Sequence, residues 1–106
     1  MISIITIVFN SNKLLERTIQ SIMSQTCKSF EYIVIDGGST DGTLDIIKNY
    51  EKYIDVWCSS PDRGISDAFN KGIDKSSGDV IGILNAGDLF NVNTIEIVSN
   101  SFTNKE

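Results

Sequence analysis

Four short apolar segments alternate with segments whose apolar residues have helical spacing, and together they fill nearly all of the 106 residues. The apolar segments are residues 2–9, 31–35, 53–58 and 79–84. The first is a continuous run rich in isoleucine, which indicates a strand buried on both faces, as in a parallel sheet. Because strands that alternate with helices join through right-handed crossovers, the chain is predicted to be an α/β protein, a three-layer α/β/α sandwich with a mainly parallel sheet.

The helical segments between these strands each present one apolar face. In the third of them Ile65, Phe69 and Ile73 recur at i, i+4 and i+8, the spacing of an amphipathic helix. Thr43 follows a glycine-rich turn and is predicted to be the N-cap of the second helix. The last helix is predicted over residues 91–102.

Composition limits the classes of function. A chain of this length makes one compact domain, and its 41% hydrophobic and 22% charged residues are typical of a soluble globular protein. The net charge of −5 argues against nonspecific binding to nucleic acid or to an anionic membrane, since both need a basic face. No apolar run is long enough to span a bilayer. We expect a cytoplasmic protein, with attachment to the inner face of the membrane as the alternative.

The chain contains no histidine, so any acid–base or metal chemistry falls to carboxylates. Cys27 and Cys58 have no metal-ligand spacing and are expected to be reduced thiols.

Polar, glycine-rich residues follow every predicted strand. They are Asn10, residues 36–43, residues 62–64 and residues 85–88. In an open α/β sheet the ligand crevice lies outside the carboxyl ends of the strands. The four segments are therefore predicted to meet on one rim and form a binding site.

Two interpretations are open for the segment that begins at Asp36. Its carboxylate can project into the crevice and accept from a base N–H or a ribose hydroxyl, while Gly37 and Gly38 let the backbone approach a planar ligand. Alternatively, Asp36, Ser39 and Asp41 are turn and cap residues, positions that Asp and Ser favour.

Two further charged residues of the rim have the same ambiguity. Asp88 can bind Mg²⁺ or Mn²⁺ that bridges diphosphate oxygens, or it can cap the helix predicted from Asn91. Arg63 can bind a phosphate or stack on a base, or it can be a solvated side chain paired with Asp62.

Four motifs in order give a specific resemblance. Phe9-Asn10 ends the first strand, residues 36–43 read Asp-Gly-Gly-Ser-Thr-Asp-Gly-Thr, and residues 84–88 read Leu-Asn-Ala-Gly-Asp. This combination resembles family 2 glycosyltransferases with the GT-A fold, and the resemblance covers nearly the whole chain. Residues 61–72 look like the corresponding run in the colanic-acid and capsular-polysaccharide branch.

The resemblance implies a role for each matching residue. Ile7 and Phe9 would contact the base of a nucleotide donor, which Asp36 would bind, and Asp88 would hold Mn²⁺ or Mg²⁺ against the diphosphate. The implied donor-binding set as a whole is Ile7, Phe9, Asp36, Ser39, Arg63 and Asn85.

The sequence departs from the family pattern at two points. Many relatives have two adjacent acids at the metal motif, whereas Gly87 stands in place of the first, so weaker metal dependence is expected. In the family the general base and the acceptor-binding segment lie downstream of that motif. We therefore expect residues 1–106 to be a donor-binding domain truncated at its C-terminus, with the general base beyond it.

The implied activity is transfer of a sugar, with inversion, from a nucleotide-diphosphate donor to an acceptor in surface-polysaccharide synthesis. A UDP-sugar is the family default, and the acceptor would be a saccharide or lipid-linked. A homo-oligomer is expected if apolar surface is left uncovered. One alternative is a non-catalytic nucleotide-sugar-binding fragment. Another is a phospho-acceptor signalling domain, but such domains carry paired acids after the first strand, where this chain has Asn10.

Overall fold

The computed structural model describes residues 1–89 and 94–103. Strands and helices alternate along the chain as the apolar pattern predicts. The elements are β1 (Ile2–Val8), α1 (Asn12–Met23), β2 (Phe30–Asp36), α2 (Thr43–Asn49), β3 (Val56–Ser59), α3 (Ile65–Lys75), β4 (Val80–Ile83) and α4 (Thr94–Thr103).

The four strands form one parallel sheet in the order β3-β2-β1-β4. In the register, Val8 lies opposite Asp36, and Asp36 lies opposite Ser59. The carboxyl ends of β1, β2 and β3 therefore come together at one edge, where the sequence places its polar segments.

Helices cover both faces of this sheet, which confirms the predicted three layers. On one face Ile4 of β1 belongs to a cluster with Leu15 of α1 and Ile47 of α2, all buried. On the other face Ile5 and Ile7 share a second cluster with Ala68 of α3. Successive side chains of β1 point to opposite faces of the sheet and enter the two clusters in turn. All seven residues of the strand are therefore buried.

Helix α3 lies very close to the sheet. A Cβ atom on Gly72 would stand 2.5 Å from Cγ2 of Ile5, so only glycine permits this separation of helix and strand. Gly72 therefore sets the distance between α3 and β1 at the level of Ile5.

Two local predictions are wrong. The third strand begins at Val56 rather than at residue 53, because Tyr53 closes a 3₁₀ turn over Glu51–Tyr53. Gly42 rather than Thr43 is the N-cap of α2. The carboxylate of Asp41, the residue before Gly42, accepts the N–H of Thr43 at 2.9 Å. This side chain therefore caps the helix in place of the N-cap residue itself.

Some expectations concern the C-terminal part of the chain. The predicted helix start at residue 91 lies outside the described residues. Within the part that is described, no helix has the length and apolar character needed to cross a membrane.

Candidate functional site

A cavity of about 330 Å³ opens at the carboxyl ends of β1 and β4, beside the start of α3. It brings together three of the residues predicted for the site with several that were not. Its walls include Ile7, Phe9, Asp62, Ile65, Ala68 and Asn85.

The cavity is apolar on two sides. The side chains of Phe9 and Ile65 are 60% and 65% exposed at its mouth, although both are large and hydrophobic. Ile7 and Ala68 are buried and form its floor. Because a flat apolar ligand would cover the exposed surface of Phe9 and Ile65, the cavity is suited to a planar ring system.

Asp36 does not line this cavity. Its side chain is fully buried, and Oδ2 accepts hydrogen bonds from the N–H of Ser39 at 2.9 Å, the N–H of Gly38 at 3.2 Å and the Ser59 hydroxyl at 2.6 Å. Oδ1 accepts from the Ser39 hydroxyl. The carboxylate therefore lies beneath its loop and does not project into the crevice. Its hydrogen bonds fix the conformation of residues 36–39.

Asn10 joins the end of β1 to the same loop. Its N–H donates to Oγ of Ser39 at 2.8 Å, and its Oδ1 accepts from the N–H of Thr40 at 2.8 Å. The backbone of Asn10 has φ +47°, a left-handed conformation that asparagine tolerates better than most residues. Ser39 is thus held between Asn10 and Asp36, and it does not reach the cavity lining.

The loop is also held at its far end by a carboxylate. Asp41 accepts from both the N–H and the hydroxyl of Thr43, and the Thr43 hydroxyl is the main reason that the pKa of Asp41 lies below its usual range. The turn-and-cap interpretation of Asp36, Ser39 and Asp41 therefore describes the contacts that these side chains make.

Asp62 is the carboxylate that lines the cavity. It lies in the loop between β3 and α3, where its Oδ1 accepts from the N–H of Gly64 at 3.1 Å. Its Oδ2 lies 2.8 Å from the point that a Cβ atom on Gly37 would occupy, and Cδ1 of Phe9 lies 3.4 Å from that point. Sequence reasoning treated Asp62 only as a partner for Arg63. The sequence feature that could have indicated Asp62 is the glycine at position 37, which leaves room for a side chain from another loop.

Arg63 is exposed and is not among the residues that line the cavity. Its N–H donates to Oδ2 of Asp67 at 2.9 Å, and this hydrogen bond, helped by Lys71, lowers the pKa of Asp67 below its usual range. Among the described residues Arg63 forms no ion pair with Asp62. Its guanidinium therefore takes part in no ion pair with the described residues.

Asp88 closes a tight turn after β4. Its Oδ2 accepts from the N–H of Asn85 at 3.2 Å, and its own N–H donates to the Asn85 carbonyl at 2.9 Å. Gly87, with φ +102°, makes the turn possible. Asn85 lines the cavity while Asp88 lies exposed in the same turn, so the turn places a carboxylate next to the cavity.

The described residues of this turn offer a divalent cation one carboxylate, so a bound cation would share its coordination with a ligand. Among residues 1–89 and 94–98 no three acidic, histidine or cysteine side chains form a metal-binding group. Asp88 is a single carboxylate whose Oδ1 makes no hydrogen bond to the described residues. Mg²⁺ is commonly bound by one or two carboxylates together with substrate phosphates and water, so the donor set fits a cation that arrives with a phosphorylated ligand.

Comparison with known proteins identifies relatives along the whole chain. The family described as glycosyl transferase family 2 matches residues 3–106. An uncharacterized glycosyltransferase of Mycobacterium tuberculosis is 41% identical over 90 residues, which are 84% of this chain and 34% of the relative. A Bacillus subtilis protein named as a teichuronic acid biosynthesis glycosyltransferase, TuaG, is 31% identical over 99 residues, 91% of this chain and 39% of the relative. The chain thus spans little more than a third of the length of these relatives.

Solved structures share the fold. S. aureus TarS 1–349 in complex with UDP-GlcNAc superposes with a TM-score of 0.87 at 22% identity, covering 96% of this chain and 31% of that one. The mannosyltransferase PcManGT from Pyrobaculum calidifontis, in complex with GDP-Man and Mn²⁺, gives a TM-score of 0.77 at 23% identity over 84% of this chain and 28% of that one. At these identities the likeness establishes the fold alone.

Proposed function

Because the chain belongs to glycosyl transferase family 2, we propose that it binds the donor in an inverting transfer of sugar from a nucleotide diphosphate. The observation that carries this proposal is the cavity at the strand ends, which Phe9, Asp62 and Asn85 line, with Asp88 in the same turn as Asn85. Such a site offers an apolar surface to the base and a cation site to the diphosphate.

The donor proposed is a UDP-sugar. Support comes from the fold shared with TarS, whose structure contains UDP-GlcNAc, although PcManGT contains GDP-Man. The acceptor proposed is a saccharide or a lipid-linked saccharide of a surface polymer. The named function of the teichuronic acid relative is compatible with this acceptor class, and the colanic-acid and capsular branch remains one proposal within it.

Asp88 is proposed to hold Mn²⁺ or Mg²⁺ together with the donor diphosphate. Bound there, the cation would offset the negative charge that develops on the leaving nucleoside diphosphate. The residues of this chain would bind and orient the donor: Phe9 and Ile65 would cover the base and exclude water, while the exposed Arg63 would approach a phosphate.

Titration calorimetry tests the proposal directly. UDP and UDP-GlcNAc are titrated into the chain with Mn²⁺ and then with EDTA. We expect binding with Mn²⁺ and an affinity at least about tenfold lower with EDTA, a loss typical of charge-assisted contacts. Absence of nucleotide binding in both conditions would refute the donor site.

A matched pair of variants localises the cation. Asp88→Asn keeps an amide oxygen that can accept from the N–H of Asn85, so the turn is retained while the charge is removed. The variant should bind UDP in Mn²⁺ as weakly as the parent chain does in EDTA. Asp74→Asn removes the same charge from an exposed position of α3 and should leave binding unchanged. Equal Mn²⁺ dependence in both variants would refute the role of Asp88.

A second measurement separates transfer from binding alone. Release of UDP from UDP-GlcNAc is followed with and without a saccharide acceptor. Acceptor-dependent release supports a transferase, whereas tight donor binding with no release supports the alternative of a nucleotide-sugar-binding module.

Self-association is proposed to involve the edge strand β4. Ile81 and Ile83 are 37% and 49% exposed there, next to an unpaired strand edge within the described chain. Light scattering should show a mass above that of the monomer, 11.7 kDa, at high concentration. Ile83→Lys should restore the monomer, and a parent chain that stays monomeric contradicts this proposal.

A further inference from the structure

We propose that Asp62 selects the base of the nucleotide by accepting the ring N–H of uracil at Oδ2. The inference rests on the proposed nucleotide-sugar site and deepens it, because it assigns base selection to the loop between β3 and α3 instead of the loop after β2.

The carboxylate after β2 is not available for this contact. Asp36 is fully buried, and its two oxygens already accept from two backbone N–H groups and two serine hydroxyls. A base could reach it only if the loop of residues 36–39 opened and those hydrogen bonds broke. Since each buried group left unpaired costs roughly 1–3 kcal/mol, Asp36 is better suited to holding the loop.

Gly37, which follows Asp36, has no side chain, and the carboxylate of Asp62 occupies the space that a side chain there would need. Oδ2 of Asp62 lies 2.8 Å from where a Cβ on Gly37 would be, closer than a Cβ can stand to another heavy atom. Any other residue at position 37 would displace the carboxylate. Gly37 therefore admits an acid from a separate loop to the end of β2.

The two oxygens of Asp62 differ in their contacts. Oδ1 accepts from the N–H of Gly64 at 3.1 Å, which orients the carboxylate plane. Oδ2 accepts no hydrogen bond from the described residues, while the side chain as a whole lines the cavity. This half-buried acceptor therefore lies at the end of β2, close to the ring of Phe9, which lines the same cavity as Asp62.

Charge decides which part of a nucleotide lies against this oxygen. A carboxylate repels a diphosphate but accepts strongly from an N–H donor. Phe9 and Ile65 expose apolar surface on which a planar base can lie. The base consequently belongs at Asp62, and the diphosphate at the Asn85–Asp88 turn, where the proposed cation would offset the charge of the Asp88 carboxylate.

The same geometry discriminates between pyrimidines. Uracil presents an N–H at ring position 3, whereas cytosine presents a lone pair there, which a carboxylate repels. An asparagine in place of Asp62 could donate its amide N–H to that lone pair while its amide oxygen still accepts from Gly64. The substitution should therefore change selectivity and not merely affinity.

The experiment compares UDP with CDP by titration calorimetry in Mn²⁺. The parent chain should prefer UDP by about tenfold or more, the usual effect of a mispaired polar group in a site. Asp62→Asn should lose most of that preference, and Asp74→Asn should keep it.

A second variant reaches the same contact without altering any charge. Gly37→Ala places a Cβ against Oδ2, and the carboxylate, as the end of a flexible side chain, is the group that must move. It too should reduce the UDP preference, even if Asp62→Asn were to fold poorly. A UDP-to-CDP ratio equal to that of the parent chain in both variants would overturn the role of Asp62. A parent chain that binds neither nucleotide would instead overturn the proposed donor site, and this assignment with it.

Discussion

The Thr18 hydroxyl donates a 2.9 Å hydrogen bond to the backbone carbonyl of Asp88, across 70 positions of sequence. The same oxygen accepts the N–H of Gly87 at 2.8 Å. Thr18 is fully buried on α1. The first helix therefore fixes, through one side chain, the turn that carries the proposed cation ligand.

Thr18→Val should disturb this turn from a distance. Valine keeps the shape of threonine but leaves the N–H of Gly87 and the carbonyl of Asp88 without their partner, so the free energy of unfolding should fall by about 1–3 kcal/mol. Mn²⁺-dependent UDP binding should weaken as well. Thr18→Ser retains the hydroxyl and should preserve binding. Denaturant unfolding and calorimetry measure the two effects, and unchanged binding in Thr18→Val would contradict the coupling.

Asn10→Ala should destabilise the connection between the first two loops. The change removes the acceptor for the N–H of Thr40 and places alanine at φ +47°. Together the lost hydrogen bond and the left-handed backbone should cost about 1–3 kcal/mol. Asn10→Asp keeps an acceptor and a residue that tolerates this backbone, so it should lose less. Equal unfolding midpoints for the two variants would argue against this account.

Gly72→Ala should destabilise the protein although alanine favours helices. The new methyl group would meet Ile5 at 2.5 Å and push α3 away from β1, an overpacking that typically costs about 1–3 kcal/mol. Asp74→Ala, on the exposed side of the same helix, should be neutral or slightly stabilising. Thermal unfolding distinguishes the two, and a raised melting temperature for Gly72→Ala would show that the helix approaches the sheet less closely.

Acid should remove a stabilising contribution from Glu31. Its carboxylate accepts from the Ser3 hydroxyl at 2.6 Å, the main reason that its pKa is below the usual value, and from the N–H of Ser77 at 2.6 Å. A group whose pKa is lower in the folded than in the unfolded state stabilises the fold above the unfolded pKa. That stabilisation disappears as the pH falls through the folded pKa.

The expected result is a pH-dependent difference between two proteins. Glu31→Gln should melt at a lower temperature than the parent chain near pH 7, and the gap should narrow as the pH falls below the ordinary pKa of a glutamate and through the lowered pKa of Glu31. A gap that stays constant across this range would show that the charge of Glu31 has no part in it.

Two features of the structure have causes that residue patterns do not display. Tyr53 has the aromatic side chain typical of strands, yet it is the last residue of a 3₁₀ turn that precedes β3. Asp36 carries the sequence signature of a ligand contact, but the density of donors around it, Ser39 and Ser59 among them, makes it a buried acceptor. The turn at Tyr53 rests on a local hydrogen bond, from its N–H to the Tyr50 carbonyl at 2.9 Å, whereas Ser59 reaches Asp36 from the neighbouring strand.

The sequence by itself determined the three-layer architecture and predicted that the candidate site lies at the ends of the strands. Apolar periodicity reports burial, and parallel strands must bring their carboxyl ends to one edge. Only the tertiary structure decided which carboxylate faces the cavity. Asp62 reaches it because Gly37, on a different strand end, has no side chain, and Asp36 cannot because its own loop surrounds it with donors. The periodicity of apolar residues indicates which face of a helix or strand is buried. Which side chain lines the cavity depends instead on how two loops distant in sequence pack against each other.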